Sequence, residues 1–183
     1  MDIYPLAIPD IKLLVPIRHE DQRGDFSETW SRRRLAEAGI GVDFVQDNQS
    51  LSKSAGTVRG LHFQAPPRAQ AKLVRVVRGR IFDVALDLRA GSASYGHSVC
   101  VELSDQDRKQ LFVPRGFAHG FCTLEDNTEV LYKVDDYYAA EHDSGLYWCD
   151  ADIGIDWPVD EQRAIVSDKD KKLSAFRDFV TPF

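Results

Sequence analysis

From Phe44 to Val134 the chain is a succession of short runs rich in Val, Leu, Ile and Phe, broken by turn residues at roughly ten-residue spacing. That pattern is β almost throughout, and many short strands at such intervals close into a sandwich or a barrel. The run Leu73–Leu88 shows it best. LVRVV leads to a turn at Arg78-Gly79-Arg80, and IFDVALDL returns with Phe82, Val84, Leu86 and Leu88 on one face, which predicts a β-hairpin. Further strands are expected over Phe44–Ser50, Val58–Phe63, His97–Leu103, Leu111–Val113, Phe117–Leu124 and Glu129–Val134. In the first of these, Gln46 and Asn48 put their amides on one face.

The flanks read differently. Prolines at 5, 9 and 16 make Met1–Ile17 suited to edge strands or to an arm lying on another sheet. Asp21–Asp25 is a charged turn, and Phe26–Trp30 resumes strand character. Ser31 is placed to cap a short helix over Arg32–Ala38, stopped by Gly39, and helical turns are expected near Ser167–Phe176. No repeat or linker divides the 183 residues. The expectation is one all-β jelly-roll domain over 1–183, with a few short helices, an N-terminal arm (1–17) and a C-terminal segment (about 158–183) packing on it.

Composition narrows the function. A net charge of −6 argues against a nucleic-acid surface, which needs a basic stripe. No apolar run reaches the length of a membrane span, and the first residues lack the pattern of a secretory signal, so a cytoplasmic setting is expected. Cys100, Cys122 and Cys149 are widely spaced and without metal-ligand spacing, which reads as reduced thiols.

The stretch Thr57–Lys72, TVRGLHFQAPPRAQAK, is the candidate site. It brings Arg59, His62 and Lys72 to neighbouring strand ends, with Pro66-Pro67 forcing an extended turn between them. By strict alternation Arg59 and His62 face opposite sides of one strand. Gly60 between them allows a β-bulge that realigns them, so a break in regular pairing is expected there.

Taken together, FVQDNQS (44–50), the run 56–96, VPRGFAHGF (113–121), YKVDDYY (132–138), WCDADIGIDWP (148–158) and SDKD (167–170) resemble the dTDP-4-dehydrorhamnose 3,5-epimerase family, in order and spacing, from about Ile3 to Lys171. The resemblance implies a cupin-type jelly roll, usually a homodimer that exchanges its arm. It also implies a reaction without cofactor or metal on a dTDP-4-keto-6-deoxy sugar of dTDP-L-rhamnose biosynthesis. C3 and C5, both next to the C4 ketone, would be inverted by proton removal and return on the opposite face. It assigns His62 as base, Asp170 (or Asp168) as its orienting carboxylate, Lys72 as the enolate stabiliser and Tyr132 as the proton donor. His119 would touch sugar or phosphate, and Arg59, Arg23 and Lys169 the diphosphate. Tyr138 would stack on thymine, with Gln46, Asp47, Asn48, Glu28 and Asp143 at the nucleotide end. Arg23, with the arm, would come from the partner subunit. Asp143 stands where the family pattern carries glutamate, and Ala140 where it carries proline.

Three other readings share these residues. PRGFAHGF also resembles the second histidine motif of metal-binding cupins, but the first cluster is His62-Phe63-Gln64 in place of His-x-His, so the ligand count falls short. Relatives that invert C3 alone or C5 alone, for other deoxysugars, would carry the same His62, Lys72 and Tyr132. A non-catalytic sugar-nucleotide-binding jelly roll could spare all three.

Overall fold

The computed structural model describes all residues, Met1–Phe183. The elements in chain order are β1 (Asp2–Pro5), β2 (Lys12–Val15), β3 (His19–Asp21), β4 (Gly24–Phe26), α1 (Arg32–Glu37), β5 (Gln46–Ser52), β6 (Thr57–Gln64) and β7 (Lys72–Arg78). There follow β8 (Arg80–Asp87), β9 (Ser98–Ser104), β10 (Gln110–Val113), β11 (Phe117–Thr123), β12 (Thr128–Val134), β13 (Asp143–Gly145) and β14 (Ile165–Val166). One sheet runs β1-β2-β10-β7-β12-β5 and the other β13-β6-β11-β8-β9. β14 lies parallel against β6 at the end that β13 leaves free, and β3 pairs only with β4.

The two sheets close on an interior that includes Val74, Val76, Ile81, Leu111, Phe121 and Val130. On the far side of the second sheet, Val84, Leu86 and Leu88 pack with Trp148 and Trp157. The C-terminal segment covers them with Val166, Phe176, Phe179 and Phe183. On the far side of the first sheet, Leu35 of α1 and Ile40 pack with Leu73 and Phe112. The expected all-β jelly roll with few short helices is the observed architecture.

Leu73–Leu88 is not a hairpin. β7 pairs with β10 and β12, β8 with β9 and β11, so the turn at Gly79 carries the chain from one sheet to the other. The alternation that suggests a hairpin is present, but both faces of β8 are buried: Ile81, Asp83 and Ala85 inward, Val84, Leu86 and Leu88 outward. Gly79 has φ +79 with Thr128 pressed against it, a crossing that only glycine makes without strain.

Other differences are local. β4 ends at Phe26, and Ser27–Trp30 instead crosses the first sheet, where Thr29 O accepts from Gln110 Nε2 at 2.6 Å. Ser31 stands at the helix N-cap and accepts the Leu35 N–H at 3.0 Å, yet its hydroxyl makes no capping bond. Burial of Leu35 holds this one-and-a-half-turn helix in place. β1 and β2 join the edge of their own sheet through β10, which leaves the exposed β3–β4 hairpin as the projecting part of the N-terminal region. Short 3₁₀ turns occupy Asp170–Lys172 and Phe176–Asp178, within the expected range of helical turns and just beyond it.

The expected break at Gly60 is present. Register slips by one residue, from His62 opposite His119 to Arg59 opposite Phe121. Gly60 has φ +130, and a β-carbon there would lie 2.5 Å from Gly120 Cα. The bulge therefore needs glycine on both strands, and it turns Arg59 and His62 into the same cleft.

Candidate active site

The cleft opens between the sheets. Its inner lobe, about 490 Å³, is lined by Arg59 and His62 of β6, Lys72 of β7, His119 of β11, Tyr132 of β12, and the C-terminal residues Ile165–Ser167, Lys169 and Asp170. A second lobe of about 420 Å³ carries Gln46, Asn48, Tyr138 and Asp143, and shares His62, Lys72, Tyr132 and Lys169 with the first. The register explains the grouping: Tyr132 lies opposite Asn48 and Val74, and Val134 opposite Gln46 and Lys72. His62 and His119 stand on one wall, Tyr132 and Lys72 on the other.

His62 Nε2 lies 2.8 Å from Asp170 Oδ1, a pair 108 residues apart in the chain. Asp170 is 4% exposed, and its other oxygen accepts the Gly60 N–H at 3.3 Å. Burial pushes this carboxyl up. The His62 hydrogen bond and charge, the Gly60 N–H and the Ser167 side chain outweigh burial and hold it below the usual carboxylate range. Asp168 is exposed and faces Lys171 at 3.6 Å, so Asp170 is the carboxylate in contact with His62.

A second imidazole–carboxylate pair sits beside the first. His119 Nε2 lies 2.6 Å from Oδ1 of the fully buried Asp83, whose Oδ2 has no partner. Sequence reasoning placed His119 in the cleft but missed Asp83. The available signal was a carboxylate in the middle of the apolar strand IFDVALDL, spaced to face inward with Ile81 and Ala85.

Lys72 is 9% exposed and donates from Nζ to His62 O at 3.3 Å, reaching from one sheet to the other. Burial pulls its pKa down to about 8 against the opposing pull of Asp143 and Asp83. Burial likewise pushes the Tyr132 phenol up, with Arg59 opposing and Asp143 reinforcing it. Arg59 is held by Ser52 Oγ and Leu51 O, both at 3.2 Å. In the second lobe, Asp143 accepts from Lys169 Nζ at 2.5 Å and from Tyr138 Oη at 3.1 Å.

Three of the expected residues lie elsewhere in the chain. Asp47 points to the far side of β5, where it pairs with Lys133 at 2.9 Å, because alternation that turns Gln46 and Asn48 inward turns Asp47 out. Arg23 pairs with Asp21 on the exposed β3–β4 hairpin, and Glu28 pairs with Arg34; neither lines the cleft. No three His, Cys, Asp or Glu side chains are arranged to grip a metal ion, and no helix is long and apolar enough to cross a membrane.

Known proteins resemble this chain over nearly its whole length. The profile of the dTDP-4-dehydrorhamnose 3,5-epimerase family matches residues 5–178. An enzyme of that name from Sinorhizobium fredii is 52% identical over 187 residues, covering 100% of this chain and 93% of its own. The Bacillus anthracis enzyme, solved with TDP and PPi bound, superposes with a TM-score of 0.92 at 47% identity, over 95% of this chain and 98% of that one. The Legionella pneumophila enzyme, solved with dTDP-4-keto-L-rhamnose, gives 0.93 at 38% identity, over 98% and 94%. Matched by the family's profile over most of its length and by a relative at 52% identity, the chain belongs to the dTDP-4-dehydrorhamnose 3,5-epimerase family.

Proposed function

We propose that this protein inverts C3 and C5 of dTDP-4-dehydro-6-deoxy-D-glucose, giving dTDP-4-dehydro-L-rhamnose for dTDP-L-rhamnose synthesis. The observation that carries the reading is that a carboxylate-backed imidazole, His62, and a phenol, Tyr132, line one cleft from opposite sheets, with Lys72 lining the same cleft. Inversion needs a base on one face of the carbon and an acid on the other, and a one-sided arrangement cannot supply both.

The steps follow from the groups. Neutral His62 removes the proton from a carbon next to the C4 ketone, and Asp170 stabilises the imidazolium that results. Lys72, cationic below about pH 8, meets the developing enolate oxygen. The Tyr132 phenol, kept protonated at neutral pH, returns a proton from the other wall, and Arg59 beside it stabilises the phenolate. His62 and Tyr132 then reset by exchange with solvent. The second lobe takes the nucleotide, with Tyr138 against the base and Lys169 and Arg59 toward the phosphates.

Turnover in D₂O tests the reading. Deuterium is expected at both C3 and C5 of the product. Inversion and label at one carbon alone would make the protein a mono-epimerase, and binding without exchange would make it a binding module.

Lys72 gives a second test with two readouts. Lys72→Met is expected to lower kcat by about 10²- to 10³-fold, the worth of an oxyanion-stabilising donor, and at the same time to raise Tm. The downward displacement of the lysine from 10.5 to about 8 corresponds to about 3 kcal/mol at 1.36 kcal/mol per tenfold change. Below pH 8 both the folded and unfolded chains carry the proton, so the burial cost is fully present. Between 8 and 10.5 the folded chain alone releases it, and stability rises. The gain from methionine should therefore be largest below pH 8, fade between 8 and 10.5, and be absent above about 10.5. A Tm that falls at neutral pH would mean that Lys72 contributes structural contacts outweighing its burial.

A homodimer completes the reading. The β3–β4 hairpin, with Phe26 71% exposed, holds Arg23, and the segment after it holds Glu28, both away from this chain's own cleft, a placement suited to serving a partner's. A monomer by sedimentation equilibrium, fully active, would remove both residues from the site. The three free thiols suit a reducing, cytoplasmic setting.

A further inference from the structure

Gln64 is the last residue of β6 and is 3% exposed. Its carboxamide is fully engaged. Nε2 donates to Arg68 O at 2.7 Å and to Tyr137 O at 3.3 Å, and Oε1 accepts from Ala139 N at 2.8 Å. Those three backbone groups belong to two stretches without regular structure, the turn after β6 and the loop after β12. Neighbouring bonds run between the same two stretches: Gln70 Nε2 donates to Asp136 O at 2.7 Å, and the Ala71 N–H to Asp135 at 2.6 Å. Tyr138 stands in the middle of the tethered loop, 59% exposed, with its N–H on Gln46 Oε1 at 3.2 Å. A ring that exposed, on irregular backbone, is held by the loop beneath it and by its hydroxyl on Asp143 at 3.1 Å, and not by packing around it.

We propose that Gln64 is a positioning residue for the nucleotide end of the substrate: one carboxamide ties two loops together and so fixes Tyr138, and Gln46 beside it, where a planar base can stack. This rests on the nucleotide-sugar reading above. The requirement is for a group with two donors and an acceptor in one plane, which among side chains of this length is glutamine alone. Leucine has a similar size but takes away the partner of two carbonyls and one N–H. Glutamate presents only acceptors when ionised. When protonated it regains one donor for the Arg68 carbonyl and still accepts from Ala139.

The test is dTDP binding by calorimetry, run beside steady-state kinetics on the keto sugar nucleotide. Gln64→Leu is expected to weaken dTDP and raise KM together by about tenfold, while kcat at saturation stays within about threefold. Gln64→Glu is expected to regain dTDP affinity relative to wild type as the pH is lowered from about 8 to about 5.5, a recovery that decides the matter even if the leucine variant folds poorly. Wild-type dTDP affinity in Gln64→Leu, a loss confined to kcat, or a pH-independent Gln64→Glu would each overturn the proposal. A wild-type protein that binds dTDP but turns nothing over strikes the epimerase reading and leaves Gln64 to be judged on binding alone.

Discussion

His62→Ala is expected to lower kcat by roughly 10³- to 10⁴-fold, the upper range for a positioned proton-transfer group, with dTDP affinity held within about threefold. The size follows from the burial of its partner. Asp170 is 4% exposed and its carboxyl is held below the usual range, so it stays ionised to stabilise the imidazolium. The other imidazole on that wall, His119, is the more enclosed of the two, its side chain 7% exposed against 30% for His62. Solvent-deuterium exchange at the substrate's C3 and C5 should vanish with turnover. Exchange that persists at a wild-type rate would move the base to another residue, with His119 the first to examine.

Tyr132→Phe should produce the complementary failure. The base remains, so C–H exchange continues, but no acid stands on the opposite wall and net inversion falls by roughly 10²- to 10⁴-fold. The substrate recovered from D₂O should therefore carry deuterium with its original configuration. This split, exchange without inversion, is what separates a one-base from a two-group mechanism. Inversion surviving at more than about a tenth of the wild-type rate would assign the donor elsewhere. Burial raises the phenol's pKa, so the wild-type alkaline limb should be set by Lys72, at about 8, before Tyr132 begins to ionise.

The contrast between the two histidines shows what a sequence can disclose. Arg59, His62 and Lys72 are close in the chain, and the glycine between the first two announced the bulge that brings them together. Asp170 was reachable only through resemblance, since nothing local ties residue 170 to residue 62. Asp83 escaped because a single acidic residue in a strand ordinarily signals the solvent face, and here both faces of β8 are covered. The same double coverage made Leu73–Leu88 look like a hairpin: alternation fixes which residues share a face, but not which strand lies alongside. Asp47 failed for the opposite reason, as the alternation that places Gln46 and Asn48 in the cleft excludes it.

Base and acid are carried on separate sheets, and that has a mechanical corollary. Within a sheet, main-chain hydrogen bonds set strand spacing at about 4.8 Å whatever the side chains. Between sheets the gap, about 10 Å, is set chiefly by side-chain bulk. The distance a proton must be delivered across is thus gauged by Val74, Val130 and Phe121, which act as shims beneath the reacting groups. A methylene added or removed there would retune catalysis from behind, without any change in what the substrate touches.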